Sequence, residues 1–174
     1  MSAAVSLPRA RRTIDGSTKL SVVSTAKARN NGRYNGSGRH WATPPEVFDP
    51  LHERFKFTLD PCATPETAKC DRYYTESDDG LSKPWAGERV FMNPPYGREI
   101  YSWTRKAKIE SSEHGTLVVG LLPASTDLSW WHEDVLGHAE VIQWYRGRIR
   151  FLTGGPYRAS GFFASVAVLW SPGR

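Results

Sequence analysis

Val90-Phe91-Met92-Asn93-Pro94-Pro95-Tyr96-Gly97 is a short apolar run that stops at two consecutive prolines. Proline has no backbone N–H to donate and fixes φ, so we expect a buried strand that ends at Met92 or Asn93. The prolines then form a rigid loop at the carboxyl end of that strand, which is where open α/β sheets place their ligands. This segment therefore predicts a functional site at one edge of a layered α/β sheet.

The side chains of this loop suit an exocyclic amino group on a planar base. Such a group has two N–H donors, which the Asn93 side-chain oxygen and the Pro94 carbonyl can accept, and a π-face on which Tyr96 can stack. A proline-rich turn that only packs a tyrosine behind a strand is the structural alternative. Asn-Pro-Pro-Tyr resembles the (D/N/S)-P-P-(Y/F/W) motif of amino-group methyltransferases that use S-adenosylmethionine (AdoMet).

The composition is that of a folded protein. A chain of 174 residues fits one domain, and 12% aromatic residues are too many for a chain that is disordered throughout. The sequence has no run of 18 apolar residues and no signal-peptide pattern, so we expect a cytoplasmic protein with no membrane partner. The two cysteines, Cys62 and Cys70, are expected to be free thiols, and we expect no metal site.

The net charge of +5 is concentrated near the amino terminus. The first 40 residues hold eight lysines and arginines and one acid, while the remainder of the chain is slightly acidic. Residues 1–38 also contain few large apolar side chains, so we predict a basic, disordered tail before a domain of residues 39–174. Two interpretations of the tail stay open, a solvated segment and an arm that docks on phosphates.

Strand and helix patterns alternate along the predicted domain. Thr43 is expected to cap a helix that starts at Pro44 or Pro45, and alternate apolar residues over 55–59 predict a strand that ends at Asp60. The alternation indicates a layered α/β sheet with a late hairpin-like pair. Further strands are expected at 116–122, 141–145 and 165–170, and further helices at 98–113 and about 128–136.

Six short motifs, in their order along the chain, resemble the phage-type DNA N6-adenine methyltransferases, a compact Dam-like family. The motifs span residues 41–170, and each is weak on its own. They are Trp41-Ala-Thr-Pro, Leu59-Asp-Pro-Cys-Ala, Asp79-Gly-Leu with Trp85, Asn93-Pro-Pro-Tyr-Gly, Leu122-Pro-Ala-Ser-Thr-Asp with Trp130 and Trp131, and Gly147-Arg-Ile-Arg-Phe.

The resemblance implies a Rossmann-like fold, with a mostly parallel sheet, helices on both faces and a late antiparallel strand. It also implies transfer of a methyl group from AdoMet to the N6 amino group of adenine in double-stranded DNA, in the bacterial host cytoplasm if the protein is phage-encoded. Other acceptors stay open, namely cytosine N4, an RNA base or a protein glutamine, as does an inactive DNA-binding relative. No separate target-recognition domain is expected, so loops around 61–85 and 146–162 should read a short or relaxed DNA sequence.

Site residues follow from the resemblance. The cofactor candidates are Thr43 and Pro44 beside the methionine part of AdoMet, Asp60 and Pro61 beneath the cofactor, Asp78 or Asp79 near its adenine, and Asn93. The catalytic candidates are Asn93, Pro94, Pro95 and Tyr96, and the DNA-contact candidates are Tyr96, Arg146, Arg148 and Arg150. A solvated basic strand is the alternative for the arginines.

The sequence departs from many methyltransferases in one place. No glycine-rich turn follows the first strand, because Asp60 is succeeded by Pro61-Cys62-Ala63. The acid for the ribose hydroxyls is also left open among Asp71, Glu76 and Asp78.

Overall fold

The computed structural model describes residues 41–153 and 158–173, so the predicted tail, residues 1–38, lies outside the described residues. The helices are α1 (Pro45–Phe55) and α2 (Ile100–His114), with a 3-10 turn at Glu76–Asp78 and a π-helical turn at Trp131–Val135. The strands are β1 (Leu59–Asp60), β2 (Arg72–Tyr73), β3 (Arg89–Met92), β4 (Leu117–Pro123), β5 (Glu140–Trp144), β6 (Arg150–Leu152), β7 (Arg158–Ser160) and β8 (Ser165–Trp170).

Six of these strands form one mixed sheet in the order β2-β1-β3-β4-β8-β5. The first four strands are parallel to one another, whereas β8 runs antiparallel to both β4 and β5. The prediction of a mostly parallel α/β sheet with a late antiparallel strand is therefore confirmed. The remaining strands, β6 and β7, pair with each other as an antiparallel hairpin.

Alternate residues of β3 and β4 face two separate apolar layers. Val90 and Val118 are fully buried in the layer that contains α2 and the π-helical turn. Phe91 and Val119 are fully buried in the layer that contains α1. Helical segments therefore cover both faces, as a parallel sheet requires to exclude water from its two apolar surfaces.

The start of α1 differs from the expectation. Thr43 does not cap the helix, because Pro44 occupies the cap position and its carbonyl accepts the amides of Val47 and Phe48. The expected strand over 55–59 is also wrong for most of its length. Phe55 still belongs to α1, and that helix ends at Lys56 in a left-handed conformation with φ of 51°.

The order of strands puts the ends of β1 and β3 beside the same crevice. From β1 the chain passes to β2 on one side and later to β3 on the other, so the direction of winding reverses between β1 and β3. Ligands in open α/β sheets bind outside the carboxyl ends of strands at such a reversal. Asp60 ends β1 and Asn93 follows β3, so both lie at this position.

Candidate active site

The side chain of Asn93 is held at both ends. Its Nδ2 donates a hydrogen bond of 2.9 Å to the Trp41 carbonyl, and its Oδ1 lies 2.9 Å from the donating hydroxyl of Tyr96. These two partners fix the amide in one orientation. Because an amide oxygen has two lone pairs, Oδ1 can accept one further hydrogen bond.

Tyr96 connects the proline loop to two other elements. Its hydroxyl also lies 3.1 Å from the Leu121 carbonyl of β4, so one hydrogen serves two acceptors, of which Asn93 is the nearer. Its ring meets Phe163 edge-to-face at 5.1 Å and Phe151 at 6.3 Å between centroids. The sequence predicted a stacking role for this ring, and it gave no signal for the contact between the hydroxyl and Asn93.

Asp60 organises the loop that follows β1. Its Oδ1 accepts the amide of Cys62 at 3.3 Å and its Oδ2 accepts the amide of Lys69 at 3.1 Å. The side chain is only 4% exposed, and this burial raises the pKa of Asp60 to about 6, although the two amides and the charge of Lys69 act in the opposite direction. One carboxyl group therefore ties both ends of the segment 62–69 to the end of β1.

A small cleft of about 20 Å³ lies between the ends of β1 and β3. Three of the predicted site residues, Thr43, Asp60 and Asn93, meet in its wall. Lys69 and Thr67 were not singled out in the sequence, because they reach the cleft only through the fold of their loop. The complete wall consists of Trp41, Ala42, Thr43, Asp60, Cys62, Thr67, Lys69 and Asn93.

A larger groove of about 470 Å³ lies at the carboxyl ends of β1 and β2. Glu76 lines it, which distinguishes this residue from the other two candidate acids. The carboxylate of Asp78 instead accepts the amide and the hydroxyl of Thr75, at 2.9 and 2.7 Å, and these bonds lower the pKa of Asp78. The whole wall consists of Ala63, Thr64, Pro65, Thr75, Glu76 and Ser77.

The Asp79-Gly80 turn is fixed against the end of β1. The Trp85 indole donates to the Gly80 carbonyl at 3.0 Å, and a Cβ on Gly80 would lie 2.2 Å from the Pro61 carbonyl oxygen. Pro61 is buried at this contact. Asp79 is exposed on the turn and belongs to neither the cleft nor the groove.

The three candidate DNA-contact arginines are exposed along one segment. Arg146 and Arg148 lie in the connection from β5 to β6, and Arg150 opens β6. The hairpin is joined to the cleft wall because Ala42 and Leu152 exchange two backbone hydrogen bonds of 3.0 Å. The basic segment is therefore attached to the same edge of the fold as Asn93.

A family model for DNA N-6-adenine-methyltransferase (Dam) matches residues 34–174. The chain belongs to this family. The match includes all six motifs on which the resemblance was based, and the predicted membership in a Dam-like family is confirmed.

Two phage members of the Dam family have similar sequences. The DNA N-6-adenine-methyltransferase of Escherichia phage T1 is 31% identical over 152 residues, which is 82% of this chain and 63% of the relative. The enzyme of the same name from Haemophilus phage HP1 is 32% identical over 114 residues, which is 64% of this chain and 65% of the relative. The chain therefore spans a little under two thirds of the length of either Dam relative.

Two further properties of the Dam-family chain concern its described residues. Between residues 41 and 173, apart from 154–157, no three His, Cys, Asp or Glu side chains converge in the way a metal site requires. No helix in the described ranges is long and apolar enough to cross a membrane.

Proposed function

We propose that this chain transfers a methyl group from AdoMet to the N6 amino group of adenine in double-stranded DNA. The observation that carries the proposal is the Asn93 amide, which Trp41 and Tyr96 hold in one orientation at the wall of the cleft. Membership in the Dam family supports the choice of adenine over the other acceptor amines.

The sheet supports a Rossmann-like assignment. Its winding reverses between β1 and β3, and the cleft lies outside the carboxyl ends of those two strands. This is the position at which doubly wound sheets bind nucleotides. We therefore assign the cleft and the neighbouring groove to AdoMet.

The residues present fit the parts of AdoMet. Asp60 offers a carboxylate for the charged amino group of the methionine part, and Thr43, which precedes Pro44 at the start of α1, offers a hydroxyl in the same cleft wall. Glu76 can accept the ribose hydroxyls, since it follows β2 and lines the groove. Asp79, on the turn fixed to Pro61, is the remaining candidate for the adenine of the cofactor.

The loop acts on the adenine amino group by holding its hydrogens. That nitrogen is a poor nucleophile, because its lone pair is delocalised into the ring. Acceptance of its two hydrogens by Asn93 Oδ1 and the Pro94 carbonyl favours a pyramidal nitrogen and exposes the lone pair. AdoMet, when bound, would supply an electrophilic methyl group and a neutral thioether leaving group. Because the amino nitrogen can lose its extra proton to water after the transfer, no side chain needs to remove a proton before the nitrogen reacts. Fixing two reactants in this way can supply about 7–11 kcal/mol.

The target base must leave the duplex to reach the loop, because its amino group is inaccessible in the stack. We propose that the ring of Tyr96 stacks on the face of the extruded adenine. This contact replaces the stacking that the base loses when it leaves the duplex. We assign the DNA phosphates beside the extruded base to the three exposed arginines, Arg146, Arg148 and Arg150. Such contacts add salt-dependent affinity.

The test is to sequence modified bases in DNA from bacteria that express the chain. We expect N6-methyladenine in a short sequence context, and none in cells that express Asn93→Ala at the same level. N4-methylcytosine, or no modified base from a folded, AdoMet-binding protein, would contradict the proposal.

A further inference from the structure

Phe162 is the most exposed large apolar side chain in the part of the chain that the structure describes, at 71%. A single exposed apolar residue is common and needs no explanation by itself. Phe162 is distinguished by its position and by the residues near it.

Phe162 lies beside the residue that positions Asn93. Its ring is 5.9 Å from the ring of Trp41, whose carbonyl accepts the Asn93 amide. Phe163, the next residue, packs edge-to-face against Tyr96. Phe162 therefore contacts one partner of Asn93, Trp41, and is next in sequence to a residue that contacts the other partner, Tyr96.

The turn that carries Phe162 is tied down on both sides. Before it, the Gly161 amide donates to the Ile149 carbonyl at 2.9 Å. After it, the Ala164 carbonyl accepts the Ala124 amide at 2.9 Å, just beyond the end of β4. An exposed ring on an anchored turn loses little conformational entropy when it binds, so it is suited to a rigid contact.

The turn that carries Phe162 is bonded to the basic segment. Ile149, the partner of Gly161, stands between Arg148 and Arg150, and both of these arginines are exposed. An exposed apolar ring on a turn bonded to a segment with exposed arginines matches a duplex, which presents stacked bases between two lines of phosphates. An apolar protein surface would leave the same guanidinium groups without partners.

We propose that Phe162 inserts into the DNA base stack at the position that the target adenine leaves. Extrusion of a base opens a gap between its neighbours, and apolar side chains can occupy such a gap and stabilise the distorted duplex. Phe162 thereby favours the extruded state, while Tyr96 and Asn93 hold the extruded base. The inference rests on the proposed function insofar as DNA is the substrate.

Base extrusion can be measured without knowledge of the recognition sequence. A long duplex in which 2-aminopurine partly replaces adenine becomes more fluorescent when a 2-aminopurine leaves the stack. The wild-type chain, with S-adenosylhomocysteine present, should raise this fluorescence, and Phe162→Ala should lose most of the rise. Methyl transfer to unmodified duplex should fall about tenfold, as expected for one lost aromatic–base stack.

Two comparisons separate insertion from a packing role. Phe162→Trp should restore most of the fluorescence and the rate, since a larger ring still fills the gap. On single-stranded DNA, where no base pair has to open, Phe162→Ala should methylate within about twofold of the wild type. Leu136→Ala is the matched control, because Leu136 is 61% exposed and precedes Glu140 of β5, which pairs with Leu169 near the end of β8 that is remote from Phe162.

The outcomes distinguish this inference from the proposed function. If Phe162→Ala extrudes bases and methylates duplex like the wild type, Phe162 is no wedge, and the methyltransferase assignment stands. If the variant loses rate equally on single strands and also melts at a lower temperature, its role is packing and the inference is overturned. If the wild type extrudes bases and forms no N6-methyladenine, the proposed function fails while insertion is supported.

Discussion

The hydroxyl of Tyr96 lies 2.9 Å from the side-chain oxygen of Asn93, and the two residues are three positions apart in one loop. The same hydroxyl also donates to the Leu121 carbonyl of β4, so Tyr96 links the side chain of Asn93 to the central sheet. Stacking on a base needs only the ring of Tyr96, whereas this contact needs the hydroxyl. The two roles can therefore be separated by substitution.

Tyr96→Phe keeps the ring and removes the hydroxyl. We expect the rate of methyl transfer at saturating substrates to fall about tenfold, because one hydrogen bond that orients Asn93 is lost, at about 1.4 kcal/mol for each factor of ten. Affinity for DNA and AdoMet should stay near the wild-type values. Single-turnover rates and equilibrium binding of both ligands test this, with Tyr96→Ala as the comparison that loses DNA affinity as well. A full rate for Tyr96→Phe would leave the tyrosine with stacking alone.

Asn93→Ala removes an acceptor for the adenine amino group together with the bond to Trp41. We expect a folded protein that binds AdoMet and has lost about 10²–10³ in rate, by analogy with loss of one preorganised polar contact to a reacting group. Asn93→Asp separates the two bonds, since it keeps an acceptor oxygen and removes the donor to Trp41. Its rate should lie between those of the wild type and the alanine variant. Equal rates for Asn93→Ala and the wild type would refute the assignment of the loop.

The proline loop and the regular strands could be predicted because their signals are local. Pro94 and Pro95 end β3 after Met92, and the unbroken apolar run after Gly115 becomes β4. The contact between Asn93 and Trp41 joins residues 52 positions apart, and no local pattern encodes it.

The error at the first strand has a local cause as well. Phe55, Phe57 and Leu59 alternate, but only Leu59 lies in β1, while Phe55 is the last residue of α1 and Phe57 packs against it. The left-handed Lys56 separates the helix from the extended segment, and a period of two over so short a distance does not distinguish these cases.

Asp60 should make the stability of the fold depend on pH. Burial raises its pKa from 3.8 to about 6, so between these values the folded protein binds a proton that the unfolded chain has released. The free energy of unfolding should therefore fall as pH rises from about 4 to about 6, by on the order of 3 kcal/mol, and stay low above pH 6. Asp60→Asn stays neutral and removes this dependence, although it loses one acceptor for the Cys62 or Lys69 amide.

Urea unfolding of the wild type and Asp60→Asn between pH 4 and pH 8 measures the effect of Asp60. The stability of the variant relative to the wild type should increase across pH 4 to 6, because other titrating groups cancel in the difference. A difference that is constant over this range would show that Asp60 is ionised throughout. AdoMet affinity of the same variant tests the assigned cofactor contact separately.

Gly80→Ala should be among the most destabilising small substitutions in the domain. A Cβ at this position would lie 2.2 Å from the Pro61 carbonyl oxygen, which is backbone and cannot rotate away. We expect a loss of about 1–3 kcal/mol as the turn moves off the end of β1, together with weaker AdoMet binding. Thermal melting and calorimetric AdoMet titration provide the two readouts. Gly87→Ala is the control, since a Cβ there meets no atom within 4 Å although its φ of 80° adds strain.

The exposed arginines can be tested through salt dependence, which separates phosphate contacts from a solvated basic segment. Each phosphate contact contributes about −0.9 to the slope of log affinity against log salt concentration. Arg148→Gln should make this slope less steep by about 0.9, and Arg146→Gln and Arg150→Gln should act alike if each guanidinium meets a phosphate. Arg54→Gln removes the same charge from the last turn of α1, at the end of that helix opposite to Thr43 and the cleft, and should leave the slope unchanged. Since glutamine is uncharged and keeps two of the three methylene groups of arginine, a change confined to the basic segment would report lost ionic contacts. An equal slope for Arg148→Gln and Arg54→Gln would assign the segment to solvent and move the phosphate contacts elsewhere on the protein.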